Sequence, residues 1–519
     1  MRYHLVRSVV GLLPLCAALP LFAQDGSPDT AYGAGGLAQS FICTNCINSP
    51  AHLEFDPQGR VVVVGEVKQG AAAPTDVFAA RYTLEGEVDS SFGVNGIARG
   101  VFCTSQDKVM DMAIAPDGSI YVAGYEYWGA FQNNPAAILR WTVDGELDTT
   151  WGPQGTFTMD LSPSTTNAAG IAVQADGKLV VGGYYHQNGI RMLLARLNTN
   201  GTFDDTFGSN GLVLPDLGGT AERIGRIALQ PDGKILVAAQ TSGSSKLVRF
   251  LPDGALDLDF GLNGVYALHG SGGIDDAGIY LLPDGRITVV ICINTPATLL
   301  VRLLPNGEPD PTYGLQGAVA IPGELLNCSF TGHCMLPDGR IVVGRADFND
   351  YGVRCVDNTG ALDPGFGVDG IAWPIAPSLV QFPGMDATSD GRFAISARCV
   401  STTPNANEDD VAAMMYLADS TFNSSTGLLP HSANRVSLHP SLYSGGPLYL
   451  ETTDELRTPE VRVLDAQGRV LHTMHKGTIH AQDRVDIGPL MDGLSAGAYT
   501  VHVMGRGNVH ARTRVYVVR

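Results

Sequence analysis

The sequence repeats itself, and this limits its fold more than any other feature. The motif Asp-x-x-aromatic-Gly-x-x-Gly occurs seven times: DTAYGAGG from Asp29, DSSFGVNG from Asp89, DTTWGPQG from Asp148, DDTFGSNG from Asp204, DLDFGLNG from Asp257, DPTYGLQG from Asp310 and DPGFGVDG from Asp363. The copies are 60, 59, 56, 53, 53 and 53 residues apart, and a worn eighth, DSTFN, begins at Asp419. Between copies run two further repeated pieces. One is a DG-type turn followed by a β-branched run (PDGSIYVAG, ADGKLVVGG, PDGKILVAA). The other is an Arg-bearing strand entering a second turn (ARYTLEGEVD, LRWTVDGELD, VRFLPDGALD). Three motifs in fixed order with one period mark a repeat architecture rather than a string of unrelated domains.

Each period has room for four short strands. In the third repeat these read as TFTMDL, GIAVQ, KLVVGGYY and MLLARLN, with ADG as a tight hairpin turn between the second and third. Four strands in such a period is the size of a propeller blade. A row of separate sheets would leave exposed edges, and closing seven into a ring removes them. The half-motif at Asp29 and the worn copy at Asp419 suit a ring whose ends meet in one blade, with the N-terminal segment beside VAAMMYLA (411–418). The fold expected is all-β: a seven-bladed β-propeller of four-stranded blades, with a small C-terminal β-sandwich. The division expected is 1–23, 24–429 and 430–519. Composition agrees, with 63 glycines and only 16% charged residues, a profile for strands and tight turns rather than amphipathic helices.

The repeats resemble the delta-60 repeat family of bacterial surface and secreted proteins over residues 29–423. That resemblance implies a propeller-like array and no particular reaction. Beyond residue 430 the pattern changes to PLYLETT, PEVRVLDAQGRVLH, GAYTVHVMG and TRVYVVR. The pieces VRVLDAQGRVL, LSAGAYTVHV and a last apolar strand ending at Arg519 resemble the type A C-terminal sorting domain of the type IX secretion system. The usual opening Pro-Asn-Pro is represented only by His439-Pro440-Ser441.

The opposite terminus has the matching feature. Arg2 and Arg7 precede the apolar stretch 8–22, and cleavage after Ala23 makes 1–23 a secretory signal peptide. The stretch is shorter than the roughly 20 apolar residues that span a bilayer, and no later segment is long enough. The expected location is therefore outside the cell, secreted or attached to its outer surface, with the type IX machinery as a partner. The chain carries 33 Lys+Arg against 52 Asp+Glu, a net charge of −19. An acidic body argues against nucleic acid as a partner. An exported chain meets oxidising conditions, so disulfides are expected. The candidates are Cys103 with Cys43 or Cys46, on the reading that Cys43 and Cys103 occupy equivalent first strands of adjacent blades, and Cys328 with Cys334.

No HExxH, GxSxG, phosphate loop or paired CxxC metal frame occurs, and no catalytic residue is assigned. The repeated Arg (Arg81, Arg140, Arg196, Arg249, Arg302, Arg354) and the repeated motif Asp serve the blade, because a residue needed in every blade is structural. Function belongs where blades differ. Strand alternation puts the DG turns and the Asp-x-x-aromatic-Gly motifs on one face and irregular loops on the other. There Tyr125, Tyr127, Trp128 and Phe131 of one repeat and Tyr184, Tyr185 and His186 of the next form a candidate aromatic patch for a glycan or protein ligand. The acidic loop residues Asp275, Asp276, Asp347, Asp350, Glu408, Asp409 and Asp410 are of the oxygen-donor type that suits Ca²⁺. They lack an ordered ligand spacing and read as solvated acid, so no cofactor is assigned. The function expected is non-catalytic binding or adhesion. The alternatives are a glycosidase- or lyase-like enzyme with carboxylates in the central channel, and a purely structural surface protein.

Overall fold

The computed structural model describes residues 26–418 apart from 44–45, 71–72, 103–105, 127–134, 162–163, 187–188, 220, 269–273, 275–276, 294–296, 323–331, 347–350, 368–369, 373–378, 381–382 and 401–408, together with strand segments between 436 and 517. The chain divides into two compact units, Met1–Phe422 and Asn423–Arg519. No α-helix occurs among the described residues, and none of them forms a helix long and apolar enough to cross a membrane.

The first unit is a seven-bladed propeller. Blade 1 runs Cys46–Phe55, Val61–Gln69, Thr75–Tyr82 and Ile97–Gly100, paired antiparallel in chain order. Blades 2 to 6 repeat the plan, their first strands being Asp107–Ile114, Thr165–Val173, Glu222–Leu229, Gly278–Leu281 and His333–Met335. Blade 7 is built from both ends of the ring. Met385–Ala387, Arg392–Val400 and Asp409–Leu417 come from its end, and Ser27–Pro28 and Leu37–Ser40 come from its start. Ser27 lies opposite Leu417 and Ser40 opposite Val411, so the half-motif does pair with the last strand.

The first strands of neighbouring blades touch one another all the way round, which makes them the inner strands lining the axis. This corrects the expected phase of the repeat. TFTM (156–159) pairs with Ala136–Leu139 as the outermost strand of blade 2, and is not the opening strand of blade 3. The motif loop is therefore a turn within a blade, and the link between blades is the loop after the outermost strand. The face assignment survives this shift, because moving the frame by one strand leaves each loop at its own end.

The cysteine pairing is also corrected. Cys43 follows the outer strand of blade 7 and Cys46 opens the inner strand of blade 1. The two are bonded to each other, with Cα atoms 5.6 Å apart. Leu37–Ser40 and Ile97–Gly100 are outer strands, where equivalent points on adjacent blades are farthest apart, so neither Cys43 nor Cys46 pairs with Cys103. Cys103 and Cys328 lie outside the described residues, and Cys334 is a buried free thiol, which removes the Cys328–Cys334 bridge.

Between blades the core is apolar, aliphatic and aromatic side chains together. Inner-facing positions such as Val62, Val64, Val77 and Ala79 of blade 1 meet Met112, Val122 and Leu139 of blade 2. On the turn face the repeated residues bind blade to blade. Arg196 donates to Asp204 (2.7 Å) and to the Pro252 carbonyl of blade 4 (2.6 Å), and stacks 4.6 Å over Phe207. Arg249 repeats this with Asp257, Pro305 and Phe260, and Arg81 with Asp89, Val143 and Phe92. The first motif glycine also reaches sideways. The N–H of Gly93 donates to Asp144 (2.7 Å), that of Gly208 to Asp253 and that of Gly261 to Asn306 (both 2.8 Å). A Cβ on Gly208 would stand 2.3 Å from the Leu212 carbonyl, and its φ is +54°. Glycine alone satisfies both constraints. For Arg81, Arg196 and Arg249 these bonds bear out the structural reading of the repeated Arg and Asp, whereas Arg140 lies over Tyr121 and Arg302 donates to Thr288 while Arg286 takes Asp310.

The second unit holds a three-stranded sheet (Val436–His439, Tyr449–Thr452, Arg484–Asp486). It also holds a five-stranded sheet whose longest strands are Gly497–Gly505 and Asn508–Val517. Val461, Val463 and Ile487 are fully buried there.

Candidate functional site

Counting back from the glycine of each DG turn compares the seven inner strands level by level. The seventh residue back is His52, Asp111, Gly170, Arg226, Gly278, Gly332 and Gly384 in blades 1 to 7. Four blades put glycine where the strands converge on the axis. The other three put a base, an acid and a guanidinium. A Cβ on Gly384 would approach the Leu53 backbone nitrogen to 2.5 Å, so the convergence is tight.

Arg226 uses this space to reach across the ring. From blade 4 its Nη1 donates to the Met110 carbonyl of blade 2 (2.8 Å) and the Ala169 carbonyl of blade 3 (3.1 Å), and lies 3.5 Å from Asp111 Oδ1. Its Nη2 is 3.5 Å from His52 Nε2 of blade 1. The side chains of His52, Asp111 and Arg226 retain 18, 14 and 14% exposure. They are deep in the molecule yet still line its lumen. Burial, reinforced by Arg226, pushes His52 well below the usual imidazole range, so the ring is neutral. Burial raises Asp111, and Arg226 opposes that rise.

Two residues nearer the DG turns, the fifth back, stand Glu54, Ala113, Ala172, Ala228, Tyr280, Cys334 and Asp386. Three consecutive blades present alanine, and the remaining four present carboxyl, phenol or thiol groups. Glu54 Oε2 accepts from the Ile114 N–H of blade 2 (3.0 Å). Asp386 Oδ2 accepts from the Phe55 N–H of blade 1 (2.9 Å). Asp111 does the same with Ile171 of blade 3 (2.9 Å). Each carboxylate thus satisfies an N–H on the free edge of the next inner strand, which would otherwise lack a partner. Burial, then repulsion from Asp386 and Asp111, pushes Glu54 well above the usual carboxylate range. Burial pushes Asp386 up to about 6 against the N–H groups of Phe55 and Ala387. Tyr280 meets His333 of blade 6, its hydroxyl 2.6 Å from Nδ1, and burial raises its pKa.

On the loop face, polar residues that open the inner strands hold the links between blades. Asp107 accepts from the Phe102 N–H (2.8 Å), and Glu222 from the N–H groups of Leu217 and Gly219 (3.0 and 2.8 Å). Thr166 accepts from Ala136 and donates to Met159. Tyr125, half-buried, is the last but one residue of the second strand of blade 2, Ile120–Glu126, and lies opposite Ala136. Tyr184, Tyr185 and His186 end the second strand of blade 3. Tyr185 packs into the core between blades 2 and 3. Tyr184 and His186 point the other way, edge to face with ring centres 6.1 Å apart. Tyr127, Trp128 and Phe131 lie outside the described residues, as do Asp275, Asp276, Asp347, Asp350 and Glu408. No group of three or more His, Cys, Asp or Glu suited to a metal occurs among the described residues.

Five stretches of the chain (57–92, 115–150, 174–207, 230–260 and 336–366) match the family described as "Domain of unknown function (DUF5122) beta-propeller". The first unit is built of β-propeller repeats. No curated protein matches it. Among solved structures it is similar to virginiamycin B lyase from Staphylococcus aureus, with 14% identity over 73% of this chain and 99% of that one and a TM-score of 0.44. It is likewise similar to a fungal alcohol oxidase in complex with copper, with 13% identity over 93% and 99% and a TM-score of 0.40. A protein of unknown function from Dyadobacter fermentans aligns at 10% identity over 74% and 98%, with a TM-score of 0.40.

Proposed function

We propose that the chain is exported by the type IX route and acts outside the cell as a non-catalytic binding or adhesion propeller, taking a glycan or protein ligand on its loop face. The difference between the two faces carries this reading. The turn face repeats one set of bonds around Arg81, Arg196 and Arg249 and is the frame, whereas on the loop face three crossovers are tied by Asp107, Thr166 and Glu222, carboxylate in two and hydroxyl in one. Tyr184 and His186 stand on that face without joining the core cluster that takes Tyr185. Ligand binding on such a surface needs no cofactor.

A hydrolytic reading would draw on Glu54 and Asp386. Both carboxyls already hold backbone N–H groups of the next blade, which fits a fixed polar lining rather than a proton shuttle. A glycan array probed with the chain lacking residues 1–23 tests the binding reading. Capture of a defined glycan class, weakened about tenfold by Tyr184→Ala with an unchanged unfolding midpoint, is the expected result. Capture that no loop-face substitution alters would sink it. Deleting 436–519 should leave the protein inside the cell; its continued appearance outside rules out the sorting role.

A further inference from the structure

We propose that blade 7 accepts its closing segment, Gly26–Ser40, from a second copy of this chain as well as from its own, and that the Cys43–Cys46 bond decides between the two.

Blade 7 makes without a covalent turn the bonds that the other blades make within one. In blades 1 to 6 a turn joins the third strand to the outer one. Its glycine, from Gly86 in blade 1 to Gly360 in blade 6, donates to the carbonyl three residues earlier. The motif Asp, three residues further on, donates back to the third strand, as Asp89 does to Arg81 (2.9 Å). In blade 7 Gly26 donates to Leu417 (2.6 Å) and Asp29 to Met415 (2.8 Å), between segments from opposite ends of the ring. The guanidinium is missing too. Met415 stands where Arg81, Arg196 and Arg249 stand, and Asp29 has only Arg392 at 3.8 Å in place of their 2.7 to 2.8 Å pairs. The seam keeps the shape of the other blades and loses both the covalent turn and the short ion pair.

The seat is selective. A Cβ on Gly26 would stand 2.8 Å from the Gly367 nitrogen and 3.1 Å from the Phe366 ring, and its φ is +75°. Counted on from Leu417, the chain's own continuation puts Ser420 at the glycine place and Asn423 at the aspartate place, so it lacks both residues the seat asks for. Tyr32, buried, and Gly33, whose N–H donates to the Glu85 carbonyl of blade 1 (2.6 Å), complete the pattern. The other glycine-to-aspartate turns are committed to their own blades. The same segment of another copy matches the seat residue for residue, and two copies trading identical segments form a closed, symmetric pair.

A short path to blade 1 favours the segment's own ring. Cys43 follows Leu37–Ser40, Cys46 opens the inner strand of blade 1, and their bond holds the two Cα atoms 5.6 Å apart. Arg99 of blade 1 also donates to the Ile42 carbonyl (3.0 Å). Once the disulfide is open, the three steps from Cys43 to Cys46 extend to about 10 Å, and the arm gains reach towards a neighbour. Lengthening or stiffening such a hinge is what shifts a chain between closing on itself and exchanging. A dithiol opens it with two electrons and two protons: the Sγ–Sγ bond breaks, Cys43 and Cys46 become thiols, and the dithiol closes to its own disulfide. The segment exchanges while both are thiols and is committed to its own ring once they are bonded.

Ser27 and Leu417, half-buried and opposite each other in the ladder, give a covalent trap for the segment. The chain lacking residues 1–23 and carrying Ser27→Cys with Leu417→Cys is prepared in light and heavy isotopes. The two are mixed at high concentration below the unfolding midpoint, oxidised and digested. With Cys43 and Cys46 bonded, the cross-linked peptides should be all light or all heavy. With Cys43→Ser and Cys46→Ser added, mixed peptides should rise at least about tenfold, towards the roughly one half of random assortment, and a dimer should appear in light scattering. No mixed peptides in that variant overturns the proposal, and so does an equal mixed fraction with and without the bond. Lys68→Cys with Thr75→Cys, a pair within one hairpin of blade 1, is the control. Mixed peptides from it in equal yield would mean plain aggregation and overturn the proposal as well. If the Ser variant does not fold, opening the native pair with dithiothreitol during mixing and reoxidising afterwards decides on the same criteria.

Discussion

The two faces of the propeller use the same strands and solve opposite problems. On the turn face, guanidinium, carboxylate, aromatic ring and glycine recur in the same relation in the sets of Arg81, Arg196 and Arg249. On the loop face Asp107, Thr166 and Glu222 do one job with two chemistries, carboxylate and hydroxyl, reached by side chains of three lengths. Chemistry repeated at every blade marks what holds the ring together. Chemistry that varies marks where the ring can change its surface without losing its shape.

Paired glycine substitutions give the largest test of this contrast. Gly208 on the turn face has φ +54° and the Leu212 carbonyl 2.3 Å from its Cβ position. Gly243 on the loop face, in the hairpin after Thr241, has φ +84° and open space. Gly208→Ala should lower stability by about 4 kcal/mol, combining backbone strain with a forced shift of packed neighbours. Gly243→Ala should cost only the left-handed penalty of about 1 kcal/mol. Urea denaturation midpoints measure both. Equal losses would erase the distinction between frame and surface.

A smaller effect separates the axis from both faces. The Asp386 carboxyl is raised to about 6 from an ordinary value near 3.8. The folded state therefore holds this proton more tightly than the unfolded chain. Its contribution to stability is greatest at low pH and disappears as pH rises through about 6. Asp386→Asn should flatten the fall in stability between pH 5 and 7.5, by roughly 1–2 kcal/mol. Parallel pH curves for the two proteins would show that the channel acids are not coupled to folding.

The smallest expected change is a gain. The aromatic motif position is mostly phenylalanine, and where it is Tyr313 the hydroxyl is buried without a hydrogen-bond partner. Tyr313→Phe should stabilise the ring by about 1 kcal/mol by removing that orphan group. A thermal melt that drops instead would mean that the hydroxyl has a role its packing does not show.

The blade count and the closing strand were legible in the sequence because both rest on period, which needs no three-dimensional information. The division of faces was legible for a related reason, since alternation of turns survives an error in where a blade begins. That error came from reading Asp-x-x-aromatic-Gly-x-x-Gly as a link between blades. The spacing is the same whether the loop joins blades or folds within one, and only pairing such as Thr156 with Leu139 decides. The mistaken cysteine pairing followed directly from it. The axial residues were illegible for a different reason. His52, Glu54, Asp111, Arg226 and Asp386 belong to five different repeats, and none looks unusual within its own strand. Alignment on the DG turns puts them on common levels, and only the ring brings those levels to one axis.

Closing the seventh blade with Ser27–Pro28 and Leu37–Ser40 has a consequence for how the molecule comes into being. The segment that leaves the ribosome early must wait for Asp409–Leu417, nearly four hundred residues later, before its edge is covered. Until then both ends of a growing arc are sticky, and the entropy of bringing them together rises only slowly with chain length. Topology of this kind favours slow assembly with a late, all-or-none final step. It also ties persistence to one seam, because opening the 27–40 segment from Asp409–Leu417 would free both ends of the circle at once.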